Sequence, residues 1–236
     1  MELGLIFGGI AVLLVVLFLI VRVVKGGPLG ILTKSLASFG FLVMALVGAL
    51  ENGFDNIQLF VILGLICGLI GDIVLDNKVV YKEHSNIYLN GGMLSFGVGH
   101  VFYFVALTIF ALNAQAVESI NVSTLYILIS LGISVVVSAG IMLLSKPLKL
   151  NFGKFFYQSL AYCLILSFMA AYSILLSTAF TALWPFAVGL SLFFVSDMIL
   201  STQYFGGQED NKLLIILNHA TYYLAQIFIA FALFMI

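Results

Sequence analysis

The sequence predicts an all-α polytopic membrane protein with eight spans, and three observations support this. Of its 236 residues, 63% are hydrophobic and only 8% are charged, too little charge to cover the surface of a soluble domain this size. The apolar residues gather into eight stretches near the length of about 20 residues that crosses a bilayer. All nine lysines and arginines lie in or beside alternate connections between those stretches. Alternating strand patterns are absent, which excludes a transmembrane barrel. The net charge of −1 and the lack of a basic arm argue against a nucleic-acid partner.

The segments run over about 3–24, 33–50, 57–75, 92–112, 122–144, 155–177, 181–202 and 213–235, forming a single eight-span domain over 1–236 with no soluble insertion. The first has Glu2 ahead of its apolar run and Arg22 and Lys25 after it. A cleavable signal would place basic residues before a shorter core, so this reads as an uncleaved span. The second opens at Lys34, and the third closes on Gly71-Asp72. The fourth carries His100-Val-Phe-Tyr103, and the fifth is apolar throughout most of its length. The sixth follows Lys154 and holds Tyr162, the seventh carries Ser196-Asp197, and the eighth carries His219-Ala-Thr-Tyr222. Pro28, Pro147 and Pro185 fall at span ends or in connections, so the spans should be unbroken. Transporters usually interrupt helices to build a midplane site, which weighs against transport. Cys67 and Cys163 both lie in apolar runs and read as packing residues.

Orientation follows from the basic residues. Arg22, Lys25 and Lys34 flank the first connection, Lys78 and Lys82 lie in the third, Lys146, Lys149 and Lys154 flank the fifth, and Lys212 follows the seventh span. Odd connections are therefore expected to be cytoplasmic and both termini outside. A weak internal repeat pairs span three with seven, four with eight, and two with six. Four spans is an even number, so two such four-helix repeats would be parallel. Asp72 and Asp197 would then be pseudo-equivalent and face a shared centre.

An ionisable group inside a span is expensive and marks a functional site by default. From the helical rise, Asp72 and Asp197 lie roughly 5–8 Å inside the cytoplasmic end of their spans, and His100 and His219 about 10–12 Å. Lys34, Tyr103, Tyr162, Ser196, Tyr222, Tyr223 and Gln226 fall in or near the same inner half, making one polar layer. Tyr103 shares a helix face with His100. Each residue also has a plainer reading: an aspartate near a span end can snorkel, a histidine can be a packing residue, and Lys34 can serve only the charge bias. Gly64, Gly68 and Gly71 read as structural, allowing close helix approach. Asp76 reads as a surface charge, and His84 as a loop residue. With no His-x-x-x-His pair or cysteine cluster, no metal is expected. With no G-x-S-x-G elbow or phosphate-binding glycine loop, neither a serine triad nor a cofactor is expected. Paired carboxylates are the best chemical reading.

The runs Gly71-Asp72-Ile-Val-Leu75, Phe96-Gly-Val-Gly-His100-Val-Phe-Tyr103, Phe194-Val-Ser196-Asp197 and Tyr222-Tyr-Leu-Ala-Gln226 together resemble the YhhN family of integral membrane proteins. Lys34, Tyr162 and Met169 also look like family positions, and Ser35 stands where the family pattern has proline. The resemblance implies an eight-span fold and a lysoplasmalogenase activity. That activity is hydrolysis of the vinyl ether bond of a lysophospholipid to a fatty aldehyde and glycerophospho-ethanolamine or -choline. Vinyl ether hydrolysis protonates the terminal vinyl carbon and adds water to the resulting oxocarbenium ion, so it calls for an acid and a carboxylate. Asp72 and Asp197 are the expected pair, with His100, Tyr103 and Tyr222 orienting them and Lys34 holding the lipid phosphate. The alternatives are a proton-coupled lipid or small-molecule transporter, a hydrolase of another lysolipid, or a scaffold whose polar layer only fixes packing. The expected location is a bacterial plasma membrane, among membrane lipid, with the site near the cytoplasmic face.

Overall fold

The computed structural model of the chain describes residues 2–118 and 124–236 and contains eight helices. They are α1 (Glu2–Val24), α2 (Gly27–Asn52), α3 (Asn56–Val80), α4 (Ser85–Glu118), α5 (Thr124–Leu144), α6 (Phe156–Ala179), α7 (Trp184–Phe205) and α8 (Lys212–Ala232). All eight are long and apolar enough to cross a membrane, and no strand occurs among the described residues. The first two residues of the expected fifth span, 122 and 123, lie outside the described residues.

The helices run further than the apolar stretches alone suggest. α3 continues to Val80, past the expected end at 75, and α4 starts at Ser85 rather than 92. The added turns mix polar and apolar residues, since backbone hydrogen bonding carries a helix on where the continuous apolar run stops. The connections have recognisable causes. Gly26 and Gly27 both have positive φ, +61° and +60°, which turns the chain between α1 and α2, and Pro28 sits in the first turn of α2. Asp55 caps α3 in a capping box, accepting from the Ile57 and Gln58 backbone N–H groups while Gln58 Oε1 accepts from its own N–H. Pro185 opens α7, and Pro147 lies in the turn after α5. No helix is interrupted by proline.

The chain forms two compact units. The first comprises residues 1–110 and 226–236, and the second residues 111–225. In the first unit α1 packs on α2 and α2 on α3. The α3–α4 contact is made close by glycine. A Cβ on Gly64 would run into the Tyr103 ring, and one on Gly71 would come within 2.7 Å of the Phe96 ring. Ser95 Oγ donates to the Cys67 carbonyl at 2.7 Å across the same contact. In the second unit α6 packs against both α5 and α7. α5 buries only Ser130, Ser134 and Ser138, one per turn. Ser134 Oγ donates to the Leu164 carbonyl at 2.7 Å, and Ser138 and Ser167 hydroxyls meet at 3.3 Å, so small hydroxyl side chains join α5 to α6. Both cysteines are free thiols.

Replacing Gly64 with alanine should lower the stability of the detergent-solubilised protein by about 1–3 kcal/mol, because Tyr103 must move. Adding Tyr103→Ala should recover part of that loss in a thermal-unfolding double-mutant cycle.

Candidate functional site

Each unit buries its own polar cluster. In the first unit the cluster is built from i, i+4 pairs on two facing helices. Lys34 and Ser38 share a face of α2, and Asp72 and Asp76 share a face of α3. Lys34 Nζ lies 3.2 Å from Asp72 Oδ1 and 3.0 Å from Asp76 Oδ1. Ser38 Oγ donates to Asp72 Oδ2 at 2.6 Å. From α1, Arg22 Nη1 donates to Asp76 Oδ2 at 3.1 Å. Two cations thus face two carboxylates, and their formal charges cancel. Lys34, Asp72 and Asp76 are all 3% exposed or less.

This arrangement corrects one expectation. Asp76 is a buried member of the cluster rather than a surface charge, because α3 continues past it and Arg22 and Lys34 close over it. Lys34 stands between two carboxylates, so its ammonium takes part in internal charge balance. Arg22 and Lys34, counted above as markers of the cytoplasmic side, are partners in ion pairs as well.

Also in the first unit, His100 is 1% exposed, and its Nδ1 donates to the Phe96 carbonyl at 2.9 Å. Its ring meets Tyr103 edge-on, with centroids 5.7 Å apart, as the shared helix face predicts. The Tyr103 hydroxyl donates to Gln226 Oε1 at 3.4 Å, so Gln226 joins this pair.

In the second unit Asp197 is 7% exposed and accepts the Tyr162 hydroxyl on Oδ2 at 2.6 Å. Neighbouring Ser196 is turned to α8 instead. Its Oγ donates to the Asn218 carbonyl at 3.1 Å, while Asn218 Nδ2 donates back to the Ser196 carbonyl at 2.9 Å. The result is a reciprocal clamp between α7 and α8. His219 is buried beside Asn218 in sequence. Tyr222 packs edge-on against Phe193 at 5.4 Å and Tyr223 at 5.1 Å.

Sequence reasoning passed over Arg22, Ser38, Asp76 and Asn218. The spacing of Ser38 from Lys34 and of Asp76 from Asp72 was a usable signal, since i+4 places each pair on one face. Asn218 was marked by being an amide within an apolar span. Among the described residues no group of three His, Cys, Asp or Glu side chains is arranged to hold a metal ion.

The fold and these clusters define an integral membrane protein of eight helices that buries ionised and hydroxyl groups within its spans. The YhhN family model matches residues 29–233, most of the chain, and the chain belongs to the YhhN family. No curated protein and no solved structure matches it.

Removing one partner of a buried ion pair leaves its counter-charge uncompensated. Lys34→Met should therefore destabilise the protein by about 3–5 kcal/mol in equilibrium unfolding. Combining it with Asp76→Asn should be less harmful than the sum of the two single changes. Arg22→Met should cost less, because the Arg22 side chain is 14% exposed and water can partly replace its bond.

Proposed function

We propose that the protein hydrolyses the vinyl ether bond of a lysoplasmalogen, with Asp72 and Asp197 as its acid/base pair. The observation that carries this reading is that the family-matched segment buries a hydroxyl-bonded carboxyl in each unit, Asp72 in the first and Asp197 in the second. Each is held by a hydroxyl at 2.6 Å, Ser38 on Asp72 and Tyr162 on Asp197. Each also lies about 12 Å of helix before the last residue of its helix, Val80 or Phe205.

The division of labour follows from the neighbours. Asp72, in contact with the Lys34 ammonium, is suited to remain a carboxylate that directs water and steadies positive charge. That leaves Asp197 to supply the proton. Asp197 would protonate the terminal vinyl carbon, converting the ether to an oxocarbenium ion. Water, losing a proton to Asp72, would add to the carbon next to oxygen. The hemiacetal so formed collapses to the fatty aldehyde and releases the glycerol hydroxyl, so the net change is addition of one water. The lysines gathered in the odd-numbered connections support a setting for this chemistry toward the cytoplasmic side.

The test is mass spectrometry of purified protein incubated with lysoplasmenylethanolamine. The wild type should release aldehyde, and Asp72→Asn and Asp197→Asn should each reduce turnover at least about 10²-fold while remaining folded. Undiminished aldehyde release by either folded variant would overturn the assignment of the pair. Lipid flux in liposomes without product would favour the transport reading.

A further inference from the structure

The cluster in the first unit holds more charge than balance requires. Lys34 and Asp72 alone cancel, yet the chain also buries Asp76 and brings Arg22 from α1 to offset it. Ion pairs taken out of water gain little net stability, so stability alone does not account for the second pair. What that pair adds is continuity. Asp72 Oδ1, Lys34 Nζ and Asp76 Oδ1 are joined at 3.2 and 3.0 Å, and Asp76 Oδ2 meets Arg22 Nη1 at 3.1 Å. Exposure rises along this line, from 3% for the Asp72 and Lys34 side chains to 14% for that of Arg22.

The outer end of the line lies at helix termini. Asp76 stands about 6 Å of helix before Val80, the last residue of α3, and Tyr81, Lys82, Glu83 and His84 beyond it are exposed. Arg22 lies just before the Gly26–Gly27 turn, and Val24 and Lys25 between them are exposed. Lys34 from α2 and Arg22 from α1 are the cations set against Asp76, while Lys34 and Ser38 from α2 are set against Asp72. α4 meets this turn of α3 through glycine, since a Cβ on Gly91 or Gly92 would come within 2.9 Å of Val74 or 3.2 Å of Leu75. The line thus runs from the buried Asp72 carboxylate to the exposed end of α3.

We propose that Asp76 is a relay residue which, through Lys34, passes to water the proton that Asp72 takes up. For its purpose the inference rests on the hydrolase reading above, and it deepens that reading by supplying the step that resets the base. A turnover leaves Asp72 protonated and Asp197 a carboxylate, so a proton has to leave Asp72 before it can direct a second water. The Lys34 ammonium gives one Nζ proton to Asp76 Oδ1 and takes the Asp72 proton on the lone pair so vacated. Lys34 ends as an ammonium, Asp72 as a carboxylate and Asp76 as a carboxylic acid, which then yields its proton to water at the Arg22 end. Both Nζ–O distances are within the reach that proton transfer requires. Arg22 stays protonated throughout, so it holds the Asp76 carboxyl without accepting the proton.

The experiment follows proton exchange and turnover separately, in the full chain in detergent. After a rapid acid jump, infrared absorption should show the carboxylate band that Asp72→Asn removes decaying at least about tenfold more slowly in Asp76→Asn than in the wild type. Asp76→Glu, which keeps a carboxyl, should stay near the wild-type rate. With lysoplasmenylethanolamine, Asp76→Asn should lower kcat about tenfold, leave KM within about twofold, and regain most of the rate when azide is added as a small proton carrier. The double variant Arg22→Gln with Asp76→Asn leaves Lys34 and Asp72 in balance, so it should fold and show the same slow exchange. Exchange as fast as wild type in Asp76→Asn or in the folded double variant overturns the proposal. So does a loss of kcat that azide does not restore, which is what a purely structural Asp76 would give. Asp76-dependent exchange without aldehyde release would sink the hydrolase reading and leave the relay standing, whereas aldehyde release with exchange independent of Asp76 would do the reverse.

Discussion

A single ammonium group, Lys34 Nζ, sets the terms for the first unit. In a hydrocarbon-like surrounding a charge cannot be left to water, and two carboxylates on one face of α3 would repel each other strongly. Lys34 resolves both problems by standing within 3.2 Å of each. Because Lys34 and Ser38 are one turn apart on α2, and Asp72 and Asp76 one turn apart on α3, a slip of either helix would break every bond together. The cluster therefore fixes helix register in a place where apolar packing is permissive. It also fixes the Asp72 carboxylate on two sides, by the ammonium and by the Ser38 hydroxyl.

The second unit reaches a similar end with little formal charge inside the clusters described. Asp197 is held by a phenol, the α7–α8 contact by the Ser196–Asn218 exchange, and the α5–α6 contact by serine hydroxyls. Within a membrane, contacts of this kind do what hydrophobic burial does in water, since lipid tails are as apolar as the side chains they would replace. Both aspartates accept a hydroxyl at 2.6 Å, from Ser38 and from Tyr162, and Asp72 has the Lys34 ammonium beside it as well.

Much of this was legible in the sequence, because composition and length dominate membrane folds. Eight spans, unbroken helices and the tyrosine beside His100 follow from hydropathy, proline placement and helical spacing. The span ends were not legible, because backbone bonding extends α3 and α4 into polar sequence that hydropathy assigns to loops. That error hid Asp76, which looked like a residue at the water line. Arg22 was hidden differently. Its charge already had a use, as a marker of orientation, and nothing in a one-dimensional tally shows that the same guanidinium also turns inward to a carboxylate. Ser196 shows the opposite limit: its place next to Asp197 suggested a shared task, yet adjacent residues on a helix face different neighbours.

Arg22 has a wider consequence. It lies outside residues 29–233, the segment that matches the family, whereas Lys34, Asp72 and Asp76 lie within it. Taken alone, those three groups carry one more negative than positive charge, and the Arg22 guanidinium brings the set to neutrality. The first helix thus delivers a cation to a cluster otherwise drawn from the matched segment, so that a segment outside the family match takes part in its charge balance.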